Sequence, residues 1–350
     1  MSSNSDSPKK LSKPNSGDAS TQHKNLGPSG LQVVAQYLLG MGIALIPLAL
    51  LYDDNYWINI LTIAYLMAGL ASAWNIIGGF GGQFSLAHGV FFGIGAYLAA
   101  QLYLIDEISP WIAMPVGALV VAIVSLLISW PTFRLRGPFF AIATMAFNEI
   151  AAVFANYSES ITGGARGLLI PFRAGFSNMI FVERWKSTLL MFIFLAIVVA
   201  ISVAIRHSRL GYYLLAVRED EDAARASGVN VLSVKLWGMA ISAALTSIGG
   251  TLFAMFIRFV DPPTLFSLPE IGVKFALLSL IGGVGTIWGP LLGAALVVPL
   301  ENYVRATLGA LPGVHLVILG LLLMLAALFL KRGIVGAITA VRWREWMPRK

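Results

Sequence analysis

Three sets of residues in this chain have types and spacings suited to chemistry. The first is Gln83, Ser85 and His88, a polar cluster inside the glycine-rich apolar stretch Gly78–Gly95. It reads either as an internal hydrogen-bond network or as the lining of a route for a zwitterion, which needs hydrogen-bonding groups in place of water. The second is Asn148 with Glu149, inside the apolar run Phe139–Asn156. A carboxylate at mid-membrane costs about 2.5–3.5 kcal/mol on insertion scales, so such groups face an interior or a wet cavity. Three placements are open for Glu149: an internal hydrogen-bond partner, a site near the outer end of its span, or part of a transport route. The third is Glu219–Ser227, followed by Gly228. Alanine and charged residues favour a helix here. Acidic residues in its first turn complement the helix dipole, and Gly228 suits the left-handed residue after the helix end. Ala223 and Ala224 are small enough for a partner groove to accept closely. Arg218, Glu219 and Arg225 can ring that contact with charge, which favours correct registration over raw affinity.

Other chemistries lack their residues. Cysteine is absent, which removes disulfides, thiolate metal sites and cysteine nucleophiles. The 4 histidines are scattered, with no pair at metal-ligand spacing, so no metal is expected. No phosphate-binding G-x-x-x-x-G-K-[ST] occurs. Gly79-Phe80-Gly81 lacks the third glycine of a dinucleotide fingerprint, and H-E-x-x-H and G-x-S-x-G are missing. The chain is therefore expected to be non-catalytic and to need no cofactor.

The elements that position these residues are membrane helices. The chain is 57% hydrophobic and 12% charged, against about 25% charged in soluble domains. Apolar segments start at Leu31, Trp57, Phe91, Trp111, Phe139, Leu189, Leu236, Ile271, Ile287 and Val314. Several are near the roughly 20 residues that cross a bilayer, and the one at Ile271 is short, ending at Ile281. About ten transmembrane helices are expected, all-α, with the glycine-rich stretch as a broken segment. Irregular backbone survives in lipid only where protein or a cavity covers it. Gly285, Gly289 and Gly293 recur every fourth residue, as do Gly89 and Gly93. Small residues at that spacing let helices pack closely.

Residues 1–30 are rich in Ser, Asn, Gly and Pro and are expected to be a disordered tail without the layout of a signal peptide. Residues 31–336 form the transmembrane domain, with a polar loop at 206–235, and 337–350 a basic tail. Most of the 24 Lys and Arg residues fall in the two tails, at Arg134 and Arg136, and in the loop 206–235. With an even number of spans, the positive-inside rule then puts both termini and that loop in the cytoplasm. The net charge of +7 is read as this anchoring charge, not as nucleic-acid binding.

Asp222-Ala223-Ala224, three residues and then Gly228 resembles the EAA-type motif of importer permeases of the ATP-binding-cassette (ABC) class, which docks into an ATPase subunit. Gly81–Tyr97, Gly137–Ile150 with Thr162–Gly164, and Leu277–Leu296 resemble the permeases of branched-chain amino acid ABC importers, in order and spacing, over roughly Leu31–Gly336. The extended loop REDEDAARASGVNV resembles the M-type permease more than the H-type. The resemblance implies an ABC importer permease fold, a second permease of H-type, two ATPases, a periplasmic binding protein and a location in the bacterial inner membrane. Urea and short-chain amide importers share these motifs. A secondary transporter or channel, with broken helices at a midplane site, is the alternative of a different class.

Overall fold

A computed structural model describes residues 30–307 and scattered positions between 313 and 337. The expected tails, and most of the apolar segment from Val314 to Leu330, lie outside the described residues. The chain divides into two compact units, Met1–Ala44 and Leu45–Lys350. The described part of the first is the beginning of an apolar helix, α1 (Gly30–Leu51).

The second unit is built from α2 (Asn55–Asn75), α3 (His88–Ile105), α4 (Pro110–Thr132), α5 (Pro138–Tyr157), the single turn α6 (Glu159–Thr162), α7 (Arg184–Arg206), α8 (Arg209–Glu219), α9 (Glu221–Ala226), α10 (Val231–Ile257), the short α11 (Pro262–Leu265), α12 (Lys274–Gly282) and α13 (Gly289–Thr307). Two-residue strands, β1 (Leu168–Leu169) and β2 (Phe259–Val260), pair antiparallel. The local chemistry sets the ends. Asp54 caps α2 by accepting from the amides of Tyr56 and Trp57. Pro110 and Pro138 occupy first turns, where no amide donor is needed.

Eight stretches among the described residues are long and apolar enough to cross a membrane. The expectation of about ten differs for two reasons. The tenth run is largely undescribed, and α13 carries Glu301 and Arg305 within its 19 residues.

Helices α2 and α10 form the centre. α2 packs against α7, α10, α12 and α13, while α10 packs against α3 and α4. Lipid tails are as apolar as leucine, so close approach and interhelical hydrogen bonds hold such helices together. Thr62 and Thr188 share a 2.7 Å hydroxyl contact. The hydroxyl of Ser279 donates to the Ala71 carbonyl at 3.0 Å, and that of Thr251 to Gly95 at 3.2 Å.

Glycines set the approach. A Cβ on Gly293 would overlap the Leu278 carbonyl, and one on Gly289 the Gly283 carbonyl. A Cβ on Gly89 would strike the Asn148 amide, and one on Gly93 the Phe266 ring. Gly285 is different. It precedes α13, in a turn with φ +78°, so it does not stack with Gly289 and Gly293 on one helix face. The helix begins only after the turn that needs the left-handed backbone. Gly289→Leu is expected to abolish recovery of monodisperse protein in detergent; a normal elution profile would contradict this packing.

Two spans are broken. α2 ends in a π-helical turn, Ile76–Phe80. Residues 81–87 then run back without helix to His88. Their backbone is satisfied by neighbours. The Trp74 indole donates to the Ser85 carbonyl at 2.8 Å, and the Leu86 amide to the Thr144 hydroxyl at 3.0 Å. The second break joins α11 to α12 through a π-helical turn, Leu268–Val273.

Candidate functional site

The loop 206–235 folds as two helices, not the single helix over Glu219–Ser227 read from sequence. Ser208 caps α8, which ends at Glu219. Asp220 is extended and starts α9 anew, its carboxylate accepting from the amides of Asp222 and Ala223. Asp, like Asn, Ser and Thr, prefers this capping role over a helix interior. Gly228 has φ +84° and ends α9 as expected, with the Val229 amide returning to the Ala224 carbonyl at 3.1 Å.

Three side chains, Arg218, Glu221 and Asp222, tie this helix pair to the rest of the membrane domain. The Arg218 guanidinium donates to the Gly79 carbonyl at 2.7 Å, on the π-helical end of α2. It also lies against Gly285, and its stem lies against Gly82. The Asn75 side chain closes the same junction. It donates to the Thr286 carbonyl and accepts from the Gly285 amide, both at 2.8 Å. Glu221 is the second link: it pairs with Lys235 near the start of α10 and accepts from Gln83 of the re-entrant segment at 3.3 Å. Lys235 is fully buried, and its ammonium also lies 5.7 Å from the Phe133 ring centroid. Asp222 accepts from Arg136, between α4 and α5, at 3.0 Å, and lies 3.4 Å from Arg225. Hydrogen bonding to Arg136, reinforced by its charge, holds the exposed Asp222 carboxyl below the usual carboxylate range. The tether is therefore complete at neutral pH and is released only as pH falls through that lowered value.

The residues singled out from sequence separate into distinct groups. Ala223 and Arg225 are exposed, whereas Ala224 is buried within the chain and is not presented to a partner. The 3.6-residue period explains the split, since neighbouring positions lie about 100° apart around the helix. Glu219 is exposed at the end of α8. Gln83 belongs with the helix pair through Glu221. Ser85, His88 and Asn148 are buried. The Ser242 hydroxyl donates to the Ala73 carbonyl at 2.7 Å and lies 2.9 Å from His88 Nε2, which therefore carries the proton. Asn148 donates to the Phe266 carbonyl at 2.7 Å, holding α5 to the second broken segment. These three lie within the packed interior, and Glu149, next to Asn148, is exposed and lines an open cavity.

Sequence reading missed Asn75, Glu221, Lys235 and a charge cluster formed by Glu270, Lys274, Glu301 and Arg305. Lys274 contacts Glu301 at 2.6 Å and Glu270 at 3.6 Å, and Arg305 contacts Glu301 at 2.9 Å and Glu270 at 3.4 Å. The signal was present: Lys274 and Glu301 are charges embedded in apolar runs, where partners are expected.

The comparisons with known proteins agree with this architecture. Residues 56–327 match the family model described as branched-chain amino acid transport system / permease component. The chain is 33% identical to the high-affinity branched-chain amino acid transport system permease protein LivM of Salmonella typhimurium, over 70% of this chain and 62% of the relative. It is 32% identical to LivM of Escherichia coli with the same coverage. It is 25% identical to LivH of Salmonella typhimurium, over 69% of this chain and 83% of the relative. The chain thus spans 62% of the length of the LivM relatives. No solved structure matches it. With the match running through every described membrane helix from α2 onward, and the identity higher to LivM than to LivH, the chain belongs to the branched-chain amino acid transport permease family, on its M-type side.

Proposed function

We propose that this chain is the M-type membrane subunit of an ATP-driven importer of branched-chain amino acids. In this reading it pairs with an H-type permease, two ATPase subunits and a periplasmic binding protein. It sits in the bacterial cytoplasmic membrane with both termini and the α8–α9 pair in the cytoplasm, as the distribution of basic residues supports. It supplies part of the path and carries out no chemistry itself. The observation that carries the reading is the short helix α9. It offers an exposed Ala223 and Arg225 on one side, and on the other its neighbours are tied to α2, α10, the re-entrant segment and the turn at Gly285. A partner that moves α9 moves all of these together.

The test uses the exposed alanine, because bulk at the buried Ala224 would disturb the chain's own packing. Ala223→Trp is expected to leave the protein inserted and monodisperse, to reduce recovery of the ATPase subunits in co-purification and to abolish leucine uptake. Full uptake by Ala223→Trp with the ATPases still bound would remove the docking role.

A further inference from the structure

On α5, Glu149, Ala152, Val153 and Asn156 follow the spacing i, i+3, i+4, i+7 and form one stripe of the helix. That stripe, with Tyr157, is one wall of an open cavity of about 490 Å³. The facing wall comes from α11 and the turn after it, including Pro263, Ser267 and Leu268. The stripe changes character along the helix. Below Glu149 it continues through the exposed apolar Met145 and Ile142, and above it the apolar Ala152 and Val153 lead to the polar Asn156 and Tyr157. Among the described residues, nothing forms an ion pair or side-chain hydrogen bond with Glu149, Asn156 or Tyr157. The Ser267 hydroxyl accepts from the Glu270 amide at 3.3 Å and keeps its own proton to donate. Asn148 is anchored on the Phe266 carbonyl, so the neighbouring Glu149 is fixed on the side of α5 that faces the groove.

A bare carboxylate on a membrane span is costly in hydrocarbon and marks a wet or ligand-filled site. Here it shares its groove with an amide, a phenol and a hydroxyl, all able to donate, and with an apolar wall of Val153, Pro263 and Leu268. We infer that this groove is a substrate station on the transport route. Glu149 takes the ammonium group of an amino acid, the donor groups take its carboxylate, and the apolar wall takes an aliphatic side chain. This rests on the proposed function as an amino acid importer.

The absence of cysteine makes the test direct, since any introduced thiol is the single one in this chain. Glu149→Cys, in the assembled importer in membrane vesicles, is exposed to a membrane-impermeant cationic thiol reagent. The thiol is expected to react, and leucine delivered by the binding protein is expected to slow the reaction. In parallel, Glu149→Gln is expected to lower leucine uptake by about tenfold, the scale of one lost charge-assisted contact. Glu149→Asp should restore part of it, with the ATPases co-purifying throughout. A thiol at 149 that is unreactive, or reactive but unprotected by leucine, overturns the station, as does full uptake by Glu149→Gln. If the unsubstituted importer takes up no branched-chain amino acid, the functional reading itself fails and the station falls with it. Uptake that is normal in both the parent and Glu149→Gln removes the station alone.

Discussion

Lys274→Met is expected to cost about 3–5 kcal/mol of stability, the usual consequence of leaving a buried charge without its partner. Lys274 and Glu301 side chains are only 8% and 4% exposed and lie 2.6 Å apart. The lysine comes from the start of α12 and the glutamate from α13, so their contact fixes the broken span against its neighbour. Removing the cation leaves Glu301 with Arg305 alone, and that arginine is already shared with Glu270. Taking out both members of the inner pair should hurt less. In Lys274→Met/Glu301→Leu the remaining Arg305 and Glu270 still neutralise each other across 3.4 Å. Apolar side chains of similar volume often replace a buried ion pair at little cost. The measurement is thermal unfolding in detergent of the parent, the single and the double variant. A single variant as stable as the double would mean that the cluster is solvated and not a buried brace.

That cluster also marks the limit of what the sequence makes legible. Long apolar runs give the spans directly, because a helix is the one way an isolated chain segment satisfies its backbone in lipid. Gly78–Gly95 was readable as a break for the same reason, and 81–87 is non-helical there. The end of α9 at Gly228 follows from a local rule about left-handed backbone. What could not be read were pairings between elements far apart in the chain. Asn75 meets Gly285 and Thr286 across more than two hundred residues, and Arg218 meets Gly79 across 139. Spacing is silent about such contacts, since they are set by which helices adjoin. The same holds for Glu149. Sequence placed it within a span, and only the neighbouring Asn148 anchor and the wall from Pro262 to Pro269 show which way it faces. Asp220 is an instructive miss. It stood inside an expected helix as one acidic residue among several, yet as a cap it divides α8 from α9.

Arg218→Ala is expected to lower transport while leaving both the fold and ATPase binding intact. The side chain is partly exposed, so its hydrogen bond contributes little to stability, yet it touches three segments at once. Its guanidinium holds the Gly79 carbonyl and rests against Gly285, and its stem rests on Gly82 at the start of the re-entrant segment. Gly82 and Gly285 have φ of +66° and +78°, conformations that L side chains rarely adopt, so the backbone is shaped to receive the arginine. Glu221, three residues further on, secures the same segment through Gln83 and secures α10 through Lys235. With Arg218 removed, α9 keeps its cap and its ties to Lys235 and Arg136, and its docking face is unchanged. The ATPases should therefore bind and hydrolyse ATP. Their motion would reach α10 but no longer the junction of α2 with the turn before α13. Coupling between distant sites is typically worth about 1–3 kcal/mol, a factor of about 5–150, and leucine uptake per ATP hydrolysed should fall within that range. Arg218→Lys should recover part of the loss, since an ammonium can reach the Gly79 carbonyl but cannot lie flat against Gly285. The experiment measures uptake and ATP hydrolysis on the same reconstituted complexes. An unchanged ratio in Arg218→Ala would show that the junction at Gly79 and Gly285 takes no part in coupling and that transmission runs through Glu221 and Lys235 instead.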